Sequence, residues 1–248
     1  MKTPIGLTAK LPVMDLFKEA MELLWVKRNA VIKMFLPIIA LMSLLDWATE
    51  NLIQLDDHST KFVMTAISAL FSVLFATAGH QFTLLPEQTR SYKQAIRLWG
   101  VNEFRYLLRA IQIAVIASLF FLLIMFAVMF LGEHPQLPIL GSSLGALVAV
   151  YIWGRLSIVL PEAALGKPTS IKRAWGLSQG NGIGLCLVVI IIPVLIMSPF
   201  FALFLFESLV VKYFAAIGIY ITTLISLVAL SLTYRFLSGF YDANEFQA

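Results

Sequence analysis

Polar side chains are too sparse along most of this chain to mark either a helical or a strand period. Instead, apolar residues run on in six blocks, at about Ala30–Ala48, Phe62–Leu85, Tyr106–Leu131, Ile139–Leu160, Ile183–Phe206 and Tyr213–Leu237. A bilayer core needs roughly 20 apolar residues per helical crossing. Strands of a membrane barrel read as alternating runs of about ten residues. These blocks are continuous and about twice that length, so each predicts a membrane-spanning helix. The expected fold is therefore an all-α polytopic bundle of six transmembrane helices, a single integral membrane domain over residues 1–248. The opening segment MKTPIGLTAKLPVMDLF lacks the compact apolar core of a cleavable leader, so the N-terminus is read as mature.

Composition changes the picture only by closing off soluble classes. Of 248 residues, 60% are hydrophobic and 13% charged, and the mean hydropathy is +0.88. Soluble domains carry about 25% charged residues. Too little polar surface exists here to cover the apolar mass, and lipid must serve as part of the solvent.

The few charges are distributed unevenly. Lys2, Lys10, Lys18, Lys27 and Arg28 precede the first block. Arg90, Lys93, Arg97, Arg105 and Arg109 gather between the second and third, and Lys167, Lys172 and Arg173 between the fourth and fifth. The alternate loops hold only Lys61 and Lys212, with Glu50, Asp56, Asp57, Glu133 and Glu207. Cationic loops stay on the cytoplasmic side, so both termini are expected in the cytoplasm. The basic pI near 9.2 follows from this asymmetry and suits anionic phospholipid headgroups; it does not call for nucleic acid.

Motifs for chemistry are few. Cys186 is a lone thiol inside a span, expected as an apolar filler. His58, His80 and His134 are far apart, with no ligand set at metal spacing. No phosphate loop, HExxH or GxSxG occurs. Neither a metal nor a cofactor is expected, and the chain is not expected to be an enzyme. GSSLG at 141–145 allows close approach of the fourth span to a neighbour, with homodimerisation as the other outcome. GNGIG at 180–184 enters a span and is no nucleotide loop. Pro37, Pro193 and Pro199 predict kinks in the first and fifth spans.

An internal repeat organises these features. Leu84–Glu87 (LLPE) matches Val159–Glu162 (VLPE). Downstream, SYKQAIRLWGVN aligns without gaps with SIKRAWGLSQGN, pairing Ser91 with Ser170, Lys93 with Lys172, Ala95 with Ala174, Leu98 with Leu177 and Asn102 with Asn181. A weaker copy before the first span keeps Lys18, Ala20 and Leu23. Each copy predicts a short amphipathic helix on the membrane surface. In the first copy Val13, Phe17, Ala20, Met21 and Leu24 form the apolar face. Ser91 with Gln94 suggests a capping box, and Pro168-Thr169-Ser170 a stop followed by a cap. The unit is an interfacial helix plus a transmembrane hairpin, repeated over about 11–89, 90–165 and 166–248.

The repeat also aligns three basic positions. His80, Arg155 and Arg235 each stand seven residues before an acid, Glu87, Glu162 and Asp242 respectively. Seven residues are about two helical turns, which puts base and acid on one face. Two readings follow for the trio: anchoring at the membrane edge by snorkelling or by contact with a partner helix or lipid phosphate, or a cluster that binds an anionic headgroup or solute. Asp46, beside Trp47 near the outer end of the first span, is expected to face the interface.

The stretch RLSIVLPEAALGKPTSIKRAWGLSQGN, with Arg155, Pro161, Ala174-Trp175, Leu177 and Gly180-Asn181, resembles a family of bacterial inner-membrane proteins. That family is similar to the six-span membrane domain fused to some glycerophosphodiester phosphodiesterases. The resemblance implies an integral inner-membrane protein connected with lipids or envelope upkeep. No phosphodiesterase domain or acid–histidine set accompanies it here, so the hydrolase activity is not implied. The expected function is non-enzymatic binding of lipid or of a membrane-protein partner. The alternative is a transporter or channel for a small anionic or amphipathic solute.

Overall fold

The computed structural model describes residues 10–51, 58–89, 94–132, 134 and 136–245. Every regular element among them is helical. They are α1 (Val13–Val26), α2 (Arg28–Asn51), α3 (His58–Leu84), α4 (Val101–Met129), α5 (Leu137–Leu156), α6 (Val159–Ala164), α7 (Ile171–Leu177), α8 (Gly182–Cys186), α9 (Ile192–Leu203) and α10 (Leu209–Glu245). A 3-10 turn, Glu87–Thr89, follows α3, and a π-helical turn, Leu187–Ile191, joins α8 to α9. Six helical stretches are long and apolar enough to cross a bilayer: Arg28–Thr49, Ser59–Leu84, Val101–Met129, Leu137–Ala164, Gly182–Leu203 and Leu209–Gly239. The chain is thus a multi-pass membrane protein, and each of the six expected blocks lies largely within one of these stretches.

The spans differ in how much protein surrounds them. Buried residues make up 61% of the most apolar window of the last span but only 17% of that of the third. α10 is therefore the central helix, packed against α9, α3, α1 and α2. α4 lies at the periphery with α5 alongside it, and turns Leu108, Leu119, Leu123 and Phe126 outward. Lipid tails are as apolar as leucine, so shape-matched contact and interhelical hydrogen bonds must hold such a bundle together. Glycine supplies the shape match between α4 and α5. A Cβ on Gly145 would sit 2.8 Å from the Phe121 carbonyl oxygen, and one on Gly141 3.1 Å from that of Met125. The GxxxG face is occupied by α4 of the same chain. Around α2 and α3, Phe35 meets Phe75 and Phe82 edge to face, with centroids 5.8 and 5.6 Å apart.

Two prolines lie in the fifth span. Pro193 enters α9 in its first turn, directly after the π turn, and Pro199 lies inside α9. Widening the helix before a proline relieves its clash with the preceding turn. Pro37 is absorbed within α2.

Of the three expected short helices, the first and third form and the second does not among its described residues. α1 buries Leu16, Phe17 and Ala20; Leu16 takes the place foreseen for Met21, which is 51% exposed. In the second copy, residues 94–100 are not helical. Ala95 N–H instead donates to the Met34 carbonyl in α2 at 3.2 Å, and Arg97 is drawn into an ion pair with Glu103. These tertiary bonds hold the segment away from helical geometry. Ser91 and Lys93 lie outside the described residues, and so does the capping box placed on Ser91. The third copy is helical: α7 is capped by Ser170, whose Oγ accepts from Arg173 N at 3.1 Å, the cap that the Pro-Thr-Ser stretch predicts. The aligned alanines Ala20, Ala95 and Ala174 are all fully buried, whereas Leu98 is 93% exposed.

Candidate functional site

The basic trio occupies three separate settings, all toward one end of the bundle. His80 in α3 is fully buried. Its Nδ1 lies 2.8 Å from Ser231 Oγ of α10, and its ring lies beside Tyr106 of α4, centroids 5.7 Å apart. Arg235 is exposed and donates to Glu19 of α1 at 2.6 Å, tying the surface helix to the central span. Arg155 is buried and reaches neither of these. Among the described residues no contact joins any two of the three.

Arg155 and Glu162 act together in a different way from the one their spacing suggests. α5 ends at Leu156 and α6 begins at Val159, so the two do not lie on one uninterrupted helical face. Both turn toward α7. Arg155 Nε donates to Ser178 Oγ and Nη2 to the Trp175 carbonyl, each at 2.9 Å. Its guanidinium also stacks 3.5 Å from the centre of the Trp175 ring. A cation on terminal carbonyls is well placed at a helix C-terminus. Near the other end of α7, Glu162 accepts from Arg173 Nε at 2.7 Å and from Tyr234 of α10 at 3.4 Å. The guanidinium of Arg155 is thus held inside the protein by a neighbouring helix; it does not snorkel. Glu87, the aligned acid, is exposed on the 3-10 turn. Asp242 lies within α10, and its side chain is outside the described residues.

A second buried ion pair stabilises the same end. Arg97 Nη2 donates to Glu103 Oε1 at 2.5 Å and to Thr77 Oγ1 at 2.8 Å, while Gly100 N–H donates to Glu103 Oε2 at 2.9 Å. Both carboxylate oxygens are used, which a buried charge requires. Glu103 also satisfies a free N–H at the start of α4.

These contacts frame a basic cleft. Arg105 and Arg109 stand four residues apart on the first turns of α4 and so share a face. The loop between α6 and α7 lies against that face. Gly166 makes its turn with φ +73, where a Cβ would meet Asn102 Oδ1 at 2.6 Å. Arg105 Nη1 donates to the Gly166 carbonyl at 3.0 Å. Arg109 is fixed more firmly, through Nε to Thr169 Oγ1 at 2.8 Å, Nη2 to the Thr169 carbonyl at 2.6 Å and Nη1 to Gln112 at 2.6 Å. The resulting cleft, about 750 Å³, is lined by these arginines, Lys167, Gln112, Leu108, Gly166, Pro168 and Thr169.

Among the described residues no carboxylate lines the cleft, and three formal positive charges face it. A guanidinium has five N–H donors and an ammonium three. Arg105 and Lys167 therefore keep donors to offer, on a protein face that continues into the lipid-facing side of α4. Such a site can hold a phosphate group. In the sequence these residues stand out only as orientation charges. The i,i+4 spacing of Arg105 and Arg109 at the mouth of a span is the signal that points to them.

Elsewhere, Cys186 packs against Gly154, whose Cβ would sit 2.8 Å from its sulfur. Asp46, expected at the interface, is half-buried, and its carboxylate accepts from Tyr220 of α10 and, at 3.2 Å, from Ser68 of α3. No family model, curated protein or solved structure matches this chain.

Proposed function

We propose that this chain is a non-enzymatic multi-pass protein of the bacterial inner membrane that binds anionic phospholipid headgroups at its cytoplasmic end. The observation that carries the reading is the cleft of Arg105, Arg109 and Lys167, with no acid among its described lining residues, beside the outward side of α4. Charge asymmetry along the chain supports the cytoplasmic placement of this end. The resemblance around Arg155–Asn181 supports a role in lipid or envelope upkeep. Anchoring, rather than anion binding, is the role that the contacts of His80, Arg155 and Arg235 support.

Native mass spectrometry with phosphatidylglycerol and phosphatidylethanolamine tests the reading. Each cation near an anionic headgroup contributes about 1 kcal/mol. Arg105→Gln with Lys167→Gln is expected to weaken phosphatidylglycerol binding by about 2 kcal/mol, some thirtyfold. Arg109 is left in place because it holds the loop. Undiminished phosphatidylglycerol retention in the double variant would rule the cleft out as the lipid site.

A second reading, a transporter or channel for a small anionic or amphipathic solute, draws support from the fifth span, broken into α8, a π turn and α9. Broken spans build substrate sites in many carriers. Solute flux into proteoliposomes, reduced by straightening the span with Pro193→Ala, is the outcome this reading expects.

A further inference from the structure

The end of the bundle remote from the basic cleft holds a second cavity, of about 630 Å³, between α2, α3, α9 and α10. Its volume is that of a small-molecule site. Its lining combines apolar side chains, Trp47 and Phe201 among them, with the polar groups of Asp46, Ser68, Tyr220 and Lys212. Asp46 is fixed by Tyr220 and Ser68, one bond to each carboxylate oxygen. Each oxygen has two lone pairs, so each can accept once more. Lys212 also lines the cavity, and its ammonium has no ion-pair or hydrogen-bond partner among the described residues.

Among the described residues, one carboxylate and one unpaired ammonium share this cavity, and the pair constrains the occupant. A simple anion meets Asp46, and a simple cation meets Lys212; each is opposed by one of the two charges. A zwitterion satisfies both and brings no net charge in from water. Lys212 and Tyr220 are eight residues apart on one face of α10, roughly 12 Å along its axis. Lys212 is in the first turns of α10, nearer the water, and Asp46 sits at the deeper level of Tyr220. The ligand therefore enters with its ammonium leading and its anionic group toward Lys212. A phosphatidylethanolamine in the adjoining leaflet has the opposite order, phosphate deep and ammonium outermost. We infer that this cavity binds a free zwitterionic solute of amino-acid type, ammonium on Asp46, anionic group on Lys212 and apolar part against Trp47 and Phe201.

Thermal unfolding of the detergent-purified protein tests the inference, with the proteinogenic amino acids, taurine and O-phosphoethanolamine as probes. At least one is expected to raise the Tm of the wild type by several degrees, while its analogues lacking the amine or the acid do not. Lys212→Gln is expected to weaken the response at least tenfold, and Asp46→Asn likewise. Lys212→Gln leaves the Asp46–Tyr220–Ser68 bonds intact, so the test stands even if Asp46→Asn misfolds. Three results would overturn the inference: no probe shifts the wild type, the shift persists in Lys212→Gln, or only phosphatidylethanolamine nanodiscs produce it.

Discussion

Arg155 is a permanent charge near the end of an apolar span, yet its surroundings leave it little need of lipid or water. Two hydrogen bonds and a stacked indole engage its guanidinium. Hydrogen bonds to charged groups contribute about 1.5–3 kcal/mol. Arg155→Ala is therefore expected to destabilise the protein by about 2–3 kcal/mol, visible as a lower Tm in detergent. Arg235, half exposed in its pair with Glu19, is expected to cost under about 1 kcal/mol on the same substitution, as surface pairs do. Equal losses in the two variants would contradict the clamp assigned to Arg155. The alignment that groups these residues compares only their offsets from the span ends. Equal offset from a span end fixes height along a helix axis, but not the direction in which each helix is rotated. That is why three aligned bases meet three different partners.

Among the elements, the long spans are the most legible part of the sequence, because a run of about 20 apolar residues has few alternatives to crossing the bilayer. The short surface segments are not. Ala95 and Arg97 are set by partners in α2, α3 and α4, which no local pattern around residue 95 can announce. The π turn is likewise unannounced, although Pro193 marks its neighbourhood. Packing of α5 on α4 follows from GxxxG and gives a direct check. Gly145→Val is expected to lower stability by about 1–3 kcal/mol through overpacking against Phe121. Gly239→Ala near the end of α10, where a Cβ meets nothing within 4 Å, is expected to be neutral or stabilising by up to about 1 kcal/mol. Thermal unfolding reports both, and a neutral Gly145→Val would refute the close contact.

For the whole molecule, the two ends carry different chemistry: ion pairs and a basic cleft at one, Asp46 and Lys212 in an apolar-walled cavity at the other. The proposed orientation puts the basic end in the cytoplasm. Single cysteines at the exposed Gln88 and Gln136, in a Cys186→Ala background, check it. Gln136→Cys is expected to react with an impermeant maleimide in intact spheroplasts, and Gln88→Cys only after permeabilisation; the reverse pattern would invert the molecule. The basic cleft itself is only half legible in sequence. Arg105 and Arg109 announce a shared face, but Lys167 joins them solely because the loop after α6 folds back onto α4. The headgroup claim is tested most directly by photocrosslinking in native membranes. A benzophenone side chain at Leu108, in the cleft, is expected to capture lipid enriched in phosphatidylglycerol relative to the same probe at Leu119, further along α4. Identical lipid composition at the two positions would contradict headgroup recognition by the cleft.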